Sequence, residues 1–213
     1  MNVLKNFTEF IKKENLFQPT DKLLLAVSGG VDSVVLCELC KQAGYDFVIA
    51  HCNFQLRGEE SERDEQFVRK LGEKYGVEVR VKQFDTAGYA SANKRNIQVA
   101  ARELRYKWFA EILQDSGNTL RHILTAHHLD DNIETLLMNF FKGTGILGLR
   151  GILPKQGRII RPLLFARKEE ILAFASEQGL AYAADSSNAS DKYTRNYFRN
   201  KLIPGIKEAF PQA

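Results

Sequence analysis

Cysteine is scarce: Cys37, Cys40 and Cys52 are odd in number and too few for a disulfide framework. Cys37 and Cys40 form a C-x-x-C, but within an apolar helical stretch and with no second cysteine pair to complete a four-thiolate site, so buried thiols are expected there. Long apolar runs are missing too. The longest, such as Leu23 to Val27, have five residues, against roughly 20 for a membrane span, so no membrane partner is expected. Residues Met1 to Phe17 space Leu4, Phe7, Phe10, Ile11 and Phe17 at helical intervals without the continuous apolar core of a secretory signal, and a cytoplasmic location follows as the expectation. G-x-x-x-x-G-K-S/T does not occur, and the one G-x-G-x-x-G, Gly143 to Gly148, follows a helix-like stretch rather than a strand, so neither a Walker loop nor a dinucleotide fingerprint is indicated.

What is present fits one globular domain. Of 213 residues, 44% are hydrophobic and 26% charged, enough apolar material for a full core. Strand-like runs at Lys22 to Val27, Asp46 to Ala50, Val77 to Val81, His122 to Ala126 and Ile159 to Leu164 alternate with helix-like stretches at Val34 to Ala43, Glu59 to Tyr75, Ile97 to Ile112, Leu129 to Phe141 and Lys168 to Gln178. This alternation predicts an α/β fold, a doubly wound and mostly parallel sheet with helices on both faces. Gly143 to Gly157, with five glycines and a proline, reads as a long mobile loop. Net charge is only 30 − 26 = +4, but seven basic and no acidic residues fall between Lys142 and Lys168. A further local excess of three runs from Asp191 to Glu208, so the last third of the chain is where a polyanion would be met.

Between the first strand and the first α/β helix lies Ser28-Gly29-Gly30-Val31-Asp32-Ser33. Two glycines let the backbone turn tightly and bring its amides against a ligand, and the helix that opens next points its positive dipole end at the same spot. The Ser28 and Ser33 hydroxyls add donors for phosphate oxygens. Asp32 repels phosphate unless a cation intervenes, which points to Mg²⁺ held by Asp32. Arg102 and Arg105, three apart on one helix, share a face suited to phosphate oxygens. In His127-His128-Leu129-Asp130-Asp131-Asn132-Ile133-Glu134-Thr135 a strand delivers His127 to the top of the sheet, and three carboxylates on the next helix need a cation between them. A metal-hydrolase cluster from His127, His128, Asp130 and Asp131 has thin support, because the remaining histidines are only His51 and His122.

The SGGVDS hexapeptide in its strand–loop–helix setting resembles the pyrophosphate (PP) loop of the N-type ATP pyrophosphatases, with their Rossmann-like, adenine nucleotide alpha hydrolase-like fold. Its companions are His51-Cys52-Asn53-Phe54, Ala100-Ala101-Arg102-Glu103-Leu104-Arg105-Tyr106, the HHLDDNIET segment, Gly143 to Gly151, Arg161-Pro162-Leu163-Leu164, Asp185-Ser186-Ser187-Asn188 and Arg195 to Asn200. Together, over roughly residues 20 to 206, they resemble the tRNA(Ile)-lysidine synthetase family. The resemblance implies ATP-dependent ligation of L-lysine to C2 of the wobble cytidine of a tRNA(Ile) with a CAU anticodon, through an adenylated cytidine, with release of AMP and pyrophosphate. It implies ATP binding by Ser28, Gly29, Gly30, Val31, Asp32, Ser33, Arg102, Arg105 and His127, and catalysis by Asp32, Arg102, Asp131 and Glu134. Lysine would be held by Asp131 and Glu134, and tRNA by Lys142, Arg150, Arg195 and Arg199. It also implies one catalytic domain over residues 1–213, with a core of about 20–190, a basic helical segment of about 191–210, and further tRNA-gripping C-terminal domains that this chain lacks. A homodimer is left open. The rivals are another adenylating tRNA modifier such as a thiolase, and a non-catalytic RNA-binding module.

Overall fold

The computed structural model describes residues 2–183 and 194–210. The Asp185 to Asn188 motif lies outside the described residues. A six-stranded sheet is ordered β3-β2-β1-β4-β6-β5, from β1 (Lys22–Ala26), β2 (Phe47–Asn53), β3 (Val79–Gln83), β4 (Leu120–Leu124), β5 (Lys155–Gln156) and β6 (Ile159–Ile160). All neighbours are parallel except the antiparallel β5–β6 pair. The mostly parallel doubly wound fold expected from the strand–helix alternation is therefore what forms.

Strand alternation sorts side chains into two cores. Leu23, Leu25, Phe47 and Ile49 point to one face, where they pack with α1 (Val3–Lys13), α2 (Val31–Gln42), α3 (Glu59–Tyr75) and α8 (Lys168–Glu177). Leu24, Val48, Ala50 and Ile123 point to the other, beneath Trp108, Phe109, Ile112 and Leu113 of α5 (Ile97–Asp115). The unbroken apolar run of β1 follows from this: it is central and buried on both faces. After β3 the chain crosses back to place β4 on the opposite side of β1, so the strand order reverses between them. Segments leaving β1 and β4 then diverge, and a crevice opens at their carboxyl ends.

Two elements depart from the sequence-based expectation. Helix α4 (Thr86–Ala92) has no apolar period to announce it; it is set by Asp85, which accepts from the Gly88 amide at 2.8 Å, and by the Thr86 hydroxyl, which donates to the Phe54 carbonyl at 2.9 Å. The stretch expected as a long mobile loop instead holds the short helix α7 (Gly145–Gly148) and strand β5. It is tied to α6 (Leu129–Phe141): the Asn139 amide donates to the Gly148 carbonyl at 2.8 Å, and Asn132 accepts from the Ile152 amide at 2.5 Å. Towards the C-terminal end lie α9 (Thr194–Tyr197), a π-helical turn over Phe198–Leu202 and α10 (Ile203–Ala209). Among the described residues no helix is long and apolar enough to cross a membrane.

Candidate active site

The crevice is a cleft of about 950 Å³, lined by the turn after β1, the start of α2, the segment after β4, the start of α6 and the C-terminal helices. At Gly29 the backbone takes φ +97°, a conformation that L side chains rarely adopt. Its carbonyl accepts from the Ala183 amide at 2.9 Å. Gly30 begins α2 with no capping side chain, so the first-turn amides keep their capacity for an anion. The serine hydroxyls brace the loop: Ser33 donates to the Gly30 carbonyl at 2.8 Å, Ser28 accepts from the Gly30 amide at 3.3 Å, and the two oxygens are 3.4 Å apart. From beneath, buried His51 sets Nδ1 2.8 Å from the Val27 carbonyl. Burial lowers the pKa of His51 despite that bond, so the neutral ring donates and acts as a strut for the loop.

Opposite the loop, the segment after β4 carries the acids. An isolated parallel bridge between His128 and Leu163 prolongs the β4–β6 pairing and holds α6 at the mouth of the crevice. His128, not His127, is the hub of the carboxylates: its buried ring lies 3.5 Å from Asp130, 3.5 Å from Asp131 and 3.9 Å from Asp32. Asp131 also accepts from the His128 amide at 3.1 Å, and Asp130 from the Lys168 amide at 2.6 Å, which fastens the start of α8 to the start of α6. Lys168 Nζ then reaches Asp32 at 2.5 Å. His127 turns aside to pair with the Thr125 hydroxyl at 2.9 Å, and burial, the largest influence, pulls its imidazole down to about 4.

Glu134 is 1% exposed and anionic groups at such depth need partners. Arg199, on the π-helical turn, donates from Nε to Oε1 at 2.6 Å and from Nη2 to Oε2 at 3.1 Å, with Asp131 at 3.5 Å. Burial opposes its charge, but the Glu134 bonds and the neighbouring acids outweigh it and raise the Arg199 pKa. Arg195 adds a 3.6 Å contact to Glu134 and donates to the Thr135 hydroxyl at 2.9 Å. Arg105 lines the far wall of the cleft over the Phe54 ring, beside Cys52, whose thiol burial pushes up to about 12.

The cleft thus gathers Ser28, Gly30, Val31, Asp32, Ser33, Arg105, His127, Asp131, Glu134, Arg195 and Arg199 around one space, with Gly29 bracing the loop from behind. Arg102 lies outside it, stacked on the Tyr106 ring in a second groove, although its charge is felt at His127. Lys142 and Arg150 are exposed at the ends of the α7 segment and line neither cavity. Lys168 and His51 carried no sequence signal for their roles: each meets its partner only through the fold. Cys37 and Cys40 are fully buried, and burial raises both thiol pKa values; His122 sits near Asp21 at the other end of β4. Among the described residues no group of three or more His, Cys, Asp or Glu could hold a metal ion by itself.

A glycine turn at the carboxyl edge of a parallel sheet, an uncapped helix start and an aspartate beside them define a nucleotide-binding PP-loop domain. The chain belongs to that family, whose PP-loop domain profile matches residues 1–206. Its sequence is similar to the tRNA(Ile)-lysidine synthase of Bacteroides thetaiotaomicron, 50% identical over 202 residues that make up 95% of this chain and 47% of that protein. The Chlorobaculum tepidum tRNA(Ile)-lysidine synthase is 43% identical over 210 residues, 97% of this chain and 63% of its own length. The chain spans about half the length of most such relatives. In fold it is similar to the U34-tRNA thiolase NcsA from Methanococcus maripaludis, at a TM-score of 0.75 and 19% identity, over 97% of this chain and 73% of that one.

Proposed function

We propose that this chain carries out the ATP-dependent joining of L-lysine to C2 of the wobble cytidine of a cytoplasmic tRNA(Ile) with a CAU anticodon. The observation that carries the reading is the continuity of one cleft, from an uncapped glycine loop to a buried carboxylate clasped by arginines. The loop amides with Ser28, Ser33 and Arg105 hold the ATP phosphates, and Arg102 swings to them from the adjoining groove. The cytidine C2 oxygen attacks the α-phosphorus and pyrophosphate leaves; the ε-amine of lysine then attacks C2, loses a proton and expels AMP. Asp131 and Glu134 bind the amine and take that proton, while neutral His127 packs against the nucleotide.

Free lysine brings two ammonium groups and a carboxylate, and the cluster mirrors it with two acids and Arg199. Arg195, Lys142 and Arg150 meet RNA phosphates, the first inside the cleft and the others on the α6–α7 surface. Asp32 would hold Mg²⁺ as a hard oxygen donor at the loop, where it now pairs with Lys168. The ion supplies neutralisation of the phosphate charge there.

The thiolase reading draws on the NcsA-like fold, but the two C-x-x-C thiols are sealed in the core and the cleft thiol is held protonated by burial. The deciding experiment incubates the chain with ATP, Mg²⁺, bulk bacterial tRNA and a panel of labelled amino acids. Alkali-stable label from lysine alone is the expected result. Absence of label, where a full-length relative labels the same RNA, rejects the reading.

A further inference from the structure

Behind the wall formed by Thr125 and His127, a second cavity of about 450 Å³ opens between α5 and the β4–β6 edge, and it shares no lining residue with the cleft. Its floor is apolar, from Leu113, Ile123 and Ile159, and its rim carries Arg102, Arg158 and Arg161. Among the described residues none of the three arginines has a carboxylate within ion-pair distance, whereas Asp32 and Glu134 in the cleft are paired with Lys168, Arg195 and Arg199. Arg161 belongs to the Arg161-Pro162-Leu163-Leu164 motif, which the proposed chemistry leaves without a task. It is 5% exposed; Nη1 donates to the Leu153 carbonyl at 2.7 Å, Nη2 reaches Gln156 at 3.4 Å, and Nε has no hydrogen-bond partner among the described residues. A buried guanidinium with an idle donor is costly to desolvate unless an anion meets it. Burial lowers its pKa and Arg102 adds repulsion, while the neighbouring Tyr106 hydroxyl partly offsets both. The Arg158 side chain, exposed at the rim, has among the described residues one hydrogen-bond contact, 3.5 Å to Asn118.

We propose that this groove is a docking site for a single-stranded RNA segment, whose phosphates meet Arg158 and Arg161 while a base rests on the apolar floor. The inference rests on the proposed RNA substrate and adds where a strand flanking the modified nucleotide lies. Free nucleotide phosphates are served by the glycine loop, which contributes to the cleft and not to the groove. Unpaired cations strung along an apolar trough instead fit a chain of regularly spaced anions with flat bases between them.

The test follows binding of a fluorescein-labelled RNA stem-loop with a CAU loop to the chain and to Arg158→Glu and Arg161→Lys, by anisotropy across a salt series, with ATP binding measured alongside by equilibrium dialysis. Arg158→Glu is on the surface and should leave folding intact; Arg161→Lys keeps the charge and removes the idle fork donor. The expected result is RNA affinity weakened by about tenfold in Arg158→Glu, a log–log salt slope shallower by about 0.7, and unchanged ATP affinity. Arg161→Lys is expected to weaken RNA binding by about threefold. Unchanged RNA affinity and slope in both variants overturns the proposal, and so does a loss of ATP affinity in step with RNA affinity, which would make the groove part of the nucleotide site. RNA binding through these arginines without lysine incorporation keeps the groove and removes the proposed reaction; lysine incorporation with an unmoved salt slope does the reverse.

Discussion

The cleft and the arginine groove lie on either side of the same strand end, and they treat charge in opposite ways. In the cleft Asp32 has Lys168 within reach, while Asp131 and Glu134 have Arg199. In the groove the described residues place three arginines against apolar side chains and a tyrosine ring, with no acid on the lining. A paired, mixed-sign pocket suits a small molecule that carries both signs, because a ligand can exchange its own charges for those already present. A one-signed trough suits a polymer of the other sign. The difference also separates what disruption should do: removing one member of a pair strands its partner, whereas removing one cation of a trough relieves repulsion within the protein.

The largest effect that tests this contrast is expected from Asp32→Ala. ATP-dependent AMP release should fall by about 10³-fold with the circular dichroism spectrum unchanged, since the side chain is partly open to water and its work is electrostatic. Retained turnover would show that the phosphate end of the cleft does without an acid. Glu134→Ala comes next. It leaves Arg199 facing a buried space, and urea denaturation should show a loss of about 3 kcal/mol, held to that by the 38% exposure of the arginine side chain. A loss below about 0.5 kcal/mol would mean that water already screens the pair.

The histidines give a smaller, pH-dependent difference. Burial holds His127 down to about 4, whereas the unfolded imidazole titrates near 6.5. Between those values the unfolded chain binds more protons than the folded one. Stability from this group is therefore complete above about pH 6.5 and drains away as pH falls towards 4. His127→Asn should reduce the drop in urea stability between pH 7 and pH 5 by about 1 kcal/mol; an unaltered drop would assign it to His51 and His122, which burial also lowers. The smallest effect is expected from Lys168→Ala, below about 1 kcal/mol in stability, because both members of the Lys168–Asp32 pair are partly open to water. A larger loss would show that the pair locks α8 to the phosphate loop.

Much of the sheet was legible in the sequence because its signals are local. The apolar run of β1, the glycine pair behind it and the heptad-like stripe of α5 each declare themselves within a dozen residues. Helix α4 and strand β5 were not legible, as one is held by a capping aspartate and a threonine hydroxyl, and the other has two residues and depends on pairing with β6. At the site, spacing put Arg102 and Arg105 on one helical face, but it could not show that one stacks on Tyr106 and the other on Phe54, towards different cavities. Neither could it show that Lys168 would meet Asp32, or that Arg199 would clasp Glu134, since those partners come from elements far apart in the chain. The idle donor of Arg161 appears only once β6 is packed against β4.

The hydrogen bond from the Ala183 amide to the Gly29 carbonyl has a consequence in time. The glycine turn is made early, yet one of the bonds that holds it is supplied by a residue synthesised about 150 positions later, after all six strands. Until then β1 also waits for β4, its neighbour on one side. A growing chain therefore carries the phosphate loop without this contact until Ala183 has been made. Nucleotide added during refolding should accordingly act late, on the slowest phase, and leave the earlier collapse of the α2 side of the sheet untouched.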